Sequence, residues 1–332
     1  MTLTYEKSGV SIAGGDQWIE TIKKIMKGVP ADPAVVGGIG GFSGLYRLSG
    51  TTLLAGCCDG VGTKVELARA TGIFAPIGQD LVAMNVNDLV TGGARPLFFL
   101  DYIACGALNE PVFAPVVESV ARACASCGCA LLGGETAEMP GVYGPQTFDL
   151  AGFAVGVVDE RDVIDGSSVQ EGDLLVGLHS SGVHSNGYTL VREALAQSIA
   201  KGDLSRPGPV PGETLGQSLM KPTRLYVNQA LSAARTGAVK AMAHITGGGM
   251  AGNVNRVLPA GLVCDVDFSS WKRPAVFDLI ASCGVAEDEM RRVFNLGIGF
   301  VMITSPDSLG RLTDALKAAG ENPQVIGRVV RA

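Results

Sequence analysis

At 332 residues the chain is long enough for two ordinary domains, and a 47% hydrophobic fraction fits filled cores and excludes a disordered chain. The net charge of −6 argues against a general nucleic-acid surface, while backbone amides can still hold a phosphorylated small molecule. No apolar run reaches membrane-spanning length and the N-terminus lacks a signal-peptide core, so a soluble, cytoplasmic protein with reduced cysteines is expected, with no membrane partner.

Residues 1–15 read as extended and irregular. Asp16 then caps a helix whose apolar stripe is Trp18, Ile19, Ile22, Ile25 and Met26, stopped by Gly28. Residues 37–44 hold five glycines in eight positions (Gly37, Gly38, Gly40, Gly41 and Gly44). Such a loop either bends freely or wraps phosphates with its N–H groups, and it matches neither standard nucleotide fingerprint. A strand over 53–58 runs into Asp59-Gly60-Val61-Gly62-Thr63-Lys64. An acid at a strand end, followed by glycines, a hydroxyl and a lysine, suits a metal and a phosphate chain; an ordinary Asp-Gly turn is the plain alternative.

A helix is expected within 78–96. Val82, Val86, Leu89 and Val90 fall on one side, Asp80 and Asn87 nearly opposite, and Asp88 at their flank. Those polar groups form either a solvated face or a metal or phosphate site. Asp80 and Asn87 lie about 10 Å apart along the axis, so one ion cannot easily bind both.

A strand over 97–103 precedes a helix from Pro111 with the stripe Val112, Val116, Val117, Val120 and Cys124. Cys124, Cys127 and Cys129 have a zinc-like spacing, but no fourth ligand follows closely and they read as core thiols. A strand over 130–132 delivers glycines and Glu135, and another covers 150–158. The acidic stretch 159–172 holds the expected domain junction, giving domains 1–165 and 166–332. Beyond it, a strand over 173–178 leads to His179-Ser-Ser-Gly-Val-His-Ser-Asn-Gly187 and a helix from about Tyr188. A helix is expected after Pro222. Thr246-Gly247-Gly248-Gly249 precedes a helix over 253–258 and forms a plausible anion cradle. Strands over 262–266, 297–303 and 324–330 alternate with helices over 274–283 and 308–319.

Asp59–Lys64, Gly133-Gly-Glu-Thr-Ala-Glu-Met-Pro-Gly141 and Ser181-Gly-Val-His-Ser-Asn-Gly187 together resemble the phosphoribosylformylglycinamidine cyclo-ligase family, the aminoimidazole ribonucleotide synthetases of purine biosynthesis. The resemblance runs in order along nearly the whole chain and includes 244–249 and Phe294-Asn-Leu-Gly-Ile-Gly299. Cys58, Val183 and Leu296 depart from the more usual residues. The acid-bearing half alone would also suit related ATP-using enzymes such as thiamine-monophosphate kinase and selenophosphate synthetase. The resemblance implies a mixed α+β fold. Its N-terminal ATP-binding domain would join a second subunit in a barrel-like dimer core, and its C-terminal domain would bind substrate.

The implied reaction converts formylglycinamidine ribonucleotide and ATP to aminoimidazole ribonucleotide, ADP and phosphate. Ring closure must expel the oxygen of a formamide, a poor leaving group until ATP phosphorylates it. By the resemblance, Asp59, Asp80, Asp88 and Glu135 would hold Mg²⁺, with Asn87 assisting and Asp59 and Asp88 serving catalysis. The helix then becomes a rail of two stations along the polyphosphate, Asp80 at one end and Asn87 with Asp88 at the other, completed by Asp59 and Glu135. Lys23, Lys64, Gly60, Thr63 and the 37–44 loop would hold ATP. His184, Ser185, Asn186 and Thr246–Gly249 would hold the ribonucleotide substrate, and His184 or His244 would move a proton. Two alternatives are a small-molecule kinase of the same superfamily and a non-catalytic nucleotide-binding scaffold.

Overall fold

β-branched and apolar segments with a period of two pair into two separate sheets. The computed structural model describes residues 3–332, so the expectations for Met1 and Thr2 lie outside the described residues. In the first sheet β1 (Val35–Val36), β2 (Gly44–Ser49), β3 (Thr52–Gly60), β4 (Arg95–Cys105), β5 (Ala130–Glu138) and β6 (Phe148–Asp159) take the order β1-β2-β3-β6-β4-β5. Its pairs are antiparallel except β4 with β5. The helices of this half are α1 (Ile12–Met26), α2 (Lys64–Thr71), α3 (Ala75–Thr91) and α4 (Glu110–Ser126). Helix α3 packs against β3 and β6 on one face of the sheet, with α4 beside it. Phe99 and Ala154 point into that layer and are buried, whereas their neighbours Leu100 and Phe153 point to the other face and are exposed.

The second sheet is wholly antiparallel. Its strands β7 (Leu174–His179), β8 (Val239–His244), β9 (Leu262–Val266), β10 (Ile298–Thr304) and β11 (Gln324–Arg331) take the order β8-β10-β7-β11-β9. Around it lie α5 (Tyr188–Ala194), α6 (Ala196–Ala200), α7 (Leu215–Leu219), α8 (Val227–Ala234), α9 (Gly249–Val254), α10 (Ala275–Ser282), α11 (Glu287–Val293) and α12 (Leu309–Ala318). The mixed α+β class read from the sequence is the class observed.

Helix α3 lies between the two halves. Its apolar side packs on the first sheet and α4, and its other side meets β8 and α8. Every residue from Asp80 to Asn87 is consequently buried, which overturns the solvated-face reading. The close approach of α4 requires Gly78, where a Cβ would stand 2.2 Å from the carbonyl oxygen of Val116.

Other boundaries move for local reasons. Ser11, not Asp16, caps α1, its Oγ accepting from the Gly14 N–H at 3.0 Å. No residue of α1 is buried, so the stripe read from the sequence finds no core within the chain. Strand β5 continues past residue 132 because Gly133 and Gly134 pair with Leu100 and Asp101. A Cβ at Gly134 would meet the Asp101 carboxylate at 2.4 Å, so this extension needs glycine. Helix α2 was not foreseen. Cys124, Cys127 and Cys129 are buried free thiols. No group of three side chains suited to a metal occurs among the described residues.

Candidate active site

The two acids on α3 have different surroundings. Asp80 Oδ1 accepts from both the N–H and the hydroxyl of Thr223 at 2.7 Å, and Oδ2 lies 2.7 Å from Lys64 Nζ. Lys64 Nζ also donates to the carbonyls of His184 (2.7 Å) and Lys221 (2.8 Å). Three donors meet three acceptors, and both side chains are fully buried. Burial pulls the lysine below its usual range and Asp80 pulls it back. Lys64 therefore has no donor left for a phosphate, and Asp80 has no exposed oxygen for a metal. Both expected roles are corrected: these residues join α2 and α3 to the second half.

Asn87 is saturated too. Its Nδ2 donates to the carbonyl of Arg224 at 2.9 Å and meets His244 Nε2 at 3.3 Å, and its Oδ1 accepts from the Tyr226 N–H at 2.9 Å. It holds the segment leading into α8 instead of a nucleotide. The two-station expectation thus loses its Asp80 end.

Asp88 stays partly open, with 15% of its side chain exposed, and its Oδ1 lies 2.9 Å from His244 Nδ1. Across from it, the end of β3 presents Asp59, whose Oδ1 accepts from the Gly60 N–H. Burial first and the Asp88 charge second push Asp59 up to about 6. Burial raises Asp88 as well, and the His244 hydrogen bond opposes that shift. Both acids are thus raised, Asp59 in part by the Asp88 charge, and together they offer hard oxygen donors suited to a cation.

Glu135 does not join them. Along the sheet Asp59 pairs with Gly152, Gly152 with Asp101, and Asp101 with Gly134. Glu135 is thus three strands from Asp59, roughly 14 Å at the usual strand spacing. Alternation also turns it to the opposite, exposed face, where it pairs with Tyr102.

Three clefts adjoin one another, the second of them holding Asp59. The largest, about 1140 Å³, is lined by Lys23, the glycines at 37, 38, 40 and 41, and β3 as far as Cys58. The Lys23 stem comes within 3.7 Å of a Cβ position on Gly40, and its ammonium pairs with Glu20. A second cleft of about 490 Å³ shares Cys58 and includes Asp59, Gly60, Thr63, Ser185 and Asn186. Thr63 and Thr189 hydroxyls, 2.9 Å apart, bridge the two halves there. A third of about 480 Å³ is lined by Gly247, Gly248, Arg256, Arg291 and Arg292. Asn186 Nδ2 is 3.7 Å from a Cβ position on Gly247, which brings the second and third clefts together.

The glycine cradle is held from within. Asn253 Nδ2 donates to the carbonyls of Thr246, Gly247 and Gly249, and its Oδ1 accepts from Thr246 Oγ1. Thr246 therefore spends its hydroxyl on the loop. His184 is only 2% exposed and adopts a left-handed φ of 69°. Its Nε2 accepts from the Ser181 N–H, and burial holds it well below the usual histidine range. Ser185 Oγ pairs with Thr223 Oγ1 at 2.8 Å, leaving Asn186 as the freer polar side chain of that motif. The sequence reading missed Arg256, Arg291 and Arg292. The Arg291-Arg292 pair near the end of an acid-led helix was a visible signal, but its proximity to the glycines was not.

Comparison with known proteins decides the family. Residues 31–158 match the N-terminal domain of AIR synthase related proteins, and residues 170–332 match their C-terminal domain. The chain is 47% identical to phosphoribosylformylglycinamidine cyclo-ligase of Desulfitobacterium hafniense, over 99% of its own length and 97% of that protein's. The chain belongs to the phosphoribosylformylglycinamidine cyclo-ligase family. It is accordingly a C–N bond-forming ligase. The same fold occurs in thiamine-monophosphate kinase from Stenotrophomonas maltophilia K279a, at TM-score 0.64 and 18% identity over 94% of this chain and 93% of that one. It also occurs in hydrogenase maturation protein HypE in complex with ATP, at TM-score 0.62 and 20% identity over 86% and 79% of the two chains. Cyclo-ligases and these more distant proteins thus share one architecture.

Proposed function

We propose that the family reaction takes place along the wall formed by Asp59 and Asp88. In that reaction formylglycinamidine ribonucleotide and ATP become aminoimidazole ribonucleotide, ADP and phosphate, a step of purine biosynthesis in the cytoplasm. The observation that carries this reading is the pair of acids Asp59 and Asp88, partly open and without a lysine or arginine among the described residues bonded to either, with Asp59 in the polar cleft that shares Cys58 with the large glycine-lined one. ATP occupies the glycine-lined cleft, with Lys23, Gly37, Gly38, Gly40 and Gly41 around its phosphates; the ATP named in the HypE structure supports a nucleotide in this fold. The ribonucleotide lies across the other two clefts, near Ser185 and Asn186, with its phosphate toward Gly247, Gly248 and the arginines. On this division residues 1–165 bind nucleotide and residues 166–332 bind substrate.

The donor chemistry fits Mg²⁺, which commonly takes one or two protein carboxylates and completes its shell with water and phosphate oxygens. Asp59 and Asp88 would hold it, and it would neutralise charge on the polyphosphate. The chain's own work is alignment. The β3 end and the Asn186 segment hold the formamide oxygen in line with the γ-phosphate, and the closed interface around α3 keeps bulk water from competing. After phosphate becomes the leaving group, the amine attacks within the same bound molecule.

Leu100, Tyr102 and Leu132 form part of an exposed apolar face that supports a homodimer. Glu135 stands on the same face and joins an active site only across that contact. Leu100→Glu with Leu132→Glu is expected to elute as a monomer in size-exclusion chromatography, and an unchanged elution volume would remove the dimer reading. For the activity, protein with ATP, Mg²⁺ and formylglycinamidine ribonucleotide is expected to yield the diazotisable amine of the product. Formation of ADP from that mixture without the amine would instead mean a kinase, and no nucleotide turnover a binding scaffold.

A further inference from the structure

The contacts around Asn87 fix the position of a proton two groups away. The Tyr226 N–H, which can only donate, faces Asn87 Oδ1, and the Arg224 carbonyl, which can only accept, faces Nδ2. The amide therefore has one orientation. Its second N–H meets His244 Nε2 at 3.3 Å, so that ring nitrogen has to accept. An imidazolium would set two donors against each other there. The ring proton then sits on Nδ1, 2.9 Å from Asp88 Oδ1. His244 is fully buried, and both of its nitrogens are occupied by protein groups.

We propose that Asn87 locks His244 in its Nδ1-protonated form, so that His244 acts as a positioning residue for Asp88, not as a proton carrier. The hydrogen bond holds Oδ1, while part of the Asp88 side chain stays open for a cation. This is the arrangement by which an outer group orients a metal-binding oxygen. The metal half of the inference rests on the cyclo-ligase reading, whereas the proton position does not.

The protein has three histidines, so imidazole nitrogen resonances can be assigned in full-length ¹⁵N-histidine-labelled protein, with His244→Asn identifying one set. The expected pattern for His244 is a proton-bearing Nδ1 and a bare Nε2. Asn87→Asp, which replaces the donor with an acceptor, is expected to put a proton on Nε2. A wild-type ring protonated at Nε2 would overturn the proposal without reference to any variant. The metal half is read by calorimetric titration of Mg²⁺ into protein with a non-hydrolysable ATP analogue. The amide nitrogen of His244→Asn falls near the Nδ1 position and should retain most of the affinity. His244→Gln reproduces the Nε2 side and should weaken binding about 10–100-fold, the usual range for losing an outer-shell partner. Equal binding by the two variants would refute the positioning role. Failure of the wild type to make the cyclised product would remove the proposed function and leave the nitrogen pattern standing.

Discussion

Asp80 and Asp88 leave the same helix eight residues apart, and both are drawn into the interface between the two halves. Asp80 meets a lysine and a threonine that satisfy both its oxygens, and no surface remains. Asp88 meets a histidine on one oxygen and another carboxylate nearby, and part of it stays open. A buried acid with its charge matched serves as a fastener. One left beside a like charge stores repulsion that a cation can relieve. Charge balance around the acid, more than burial, separates the two roles.

The sharpest way to break the comparison is to unbalance the Asp80 end. Lys64→Met leaves a buried carboxylate without its cation and is expected to cost about 3–5 kcal/mol in denaturant unfolding. Lys64→Met combined with Asp80→Leu should recover much of that loss, because neither charge is then stranded. A single variant as stable as wild type would mean that the pair is not a fastener. At the other end, Asp59→Asn is expected to lower kcat/KM by at least about 100-fold, the rate equivalent of a few kcal/mol of lost charge stabilisation. The same substitution should raise the melting temperature of the metal-free protein, since it removes a repelling charge. Lower stability with full activity would reverse the assignment of the two ends.

The smallest effect is a pH dependence. Asp59 has a folded-state value of about 6 against an ordinary 3.8, so the native state binds more protons across that window. Stability of the metal-free protein from this group therefore falls as pH rises from 3.8 to about 6, opposite to a salt-bridged acid. Subtracting the melting curves of Asp59→Asn from those of wild type should isolate the slope. A flat difference would show that neither burial nor the Asp88 charge raises Asp59. Mg²⁺ competes with the proton at Asp59, so its affinity should rise with pH through the same range.

Much of the architecture was legible because it depends on local periodicity. The strand over 150–158 and the valine face of α3 are written into neighbouring residues, and both are observed, the strand as part of β6. The extension of β5 was hidden because two glycines look like a turn unless the Asp101 side chain that excludes a Cβ is known. In the site, Asp59 and Asp88 could be named from their motifs, and the structure does bring them together. Glu135 could be named but not located, since a strand's face and its distance along a sheet depend on pairing order. Lys64 illustrates the same limit: a lysine after a glycine turn looks free for phosphate until three acceptors from distant segments are seen around it.

The sequence by itself determined which residues carry charge, which faces are apolar, and the family to which those motifs belong. Only the tertiary structure decided which acids have partners. Thr223, Arg224, Tyr226 and His244 lie more than 130 positions from the α3 residues they contact, and no local pattern encodes such a meeting. Helical geometry set the spacing of Asp80 and Asp88, and the second half of the chain, folding over α3, made one a fastener and the other a candidate for the metal.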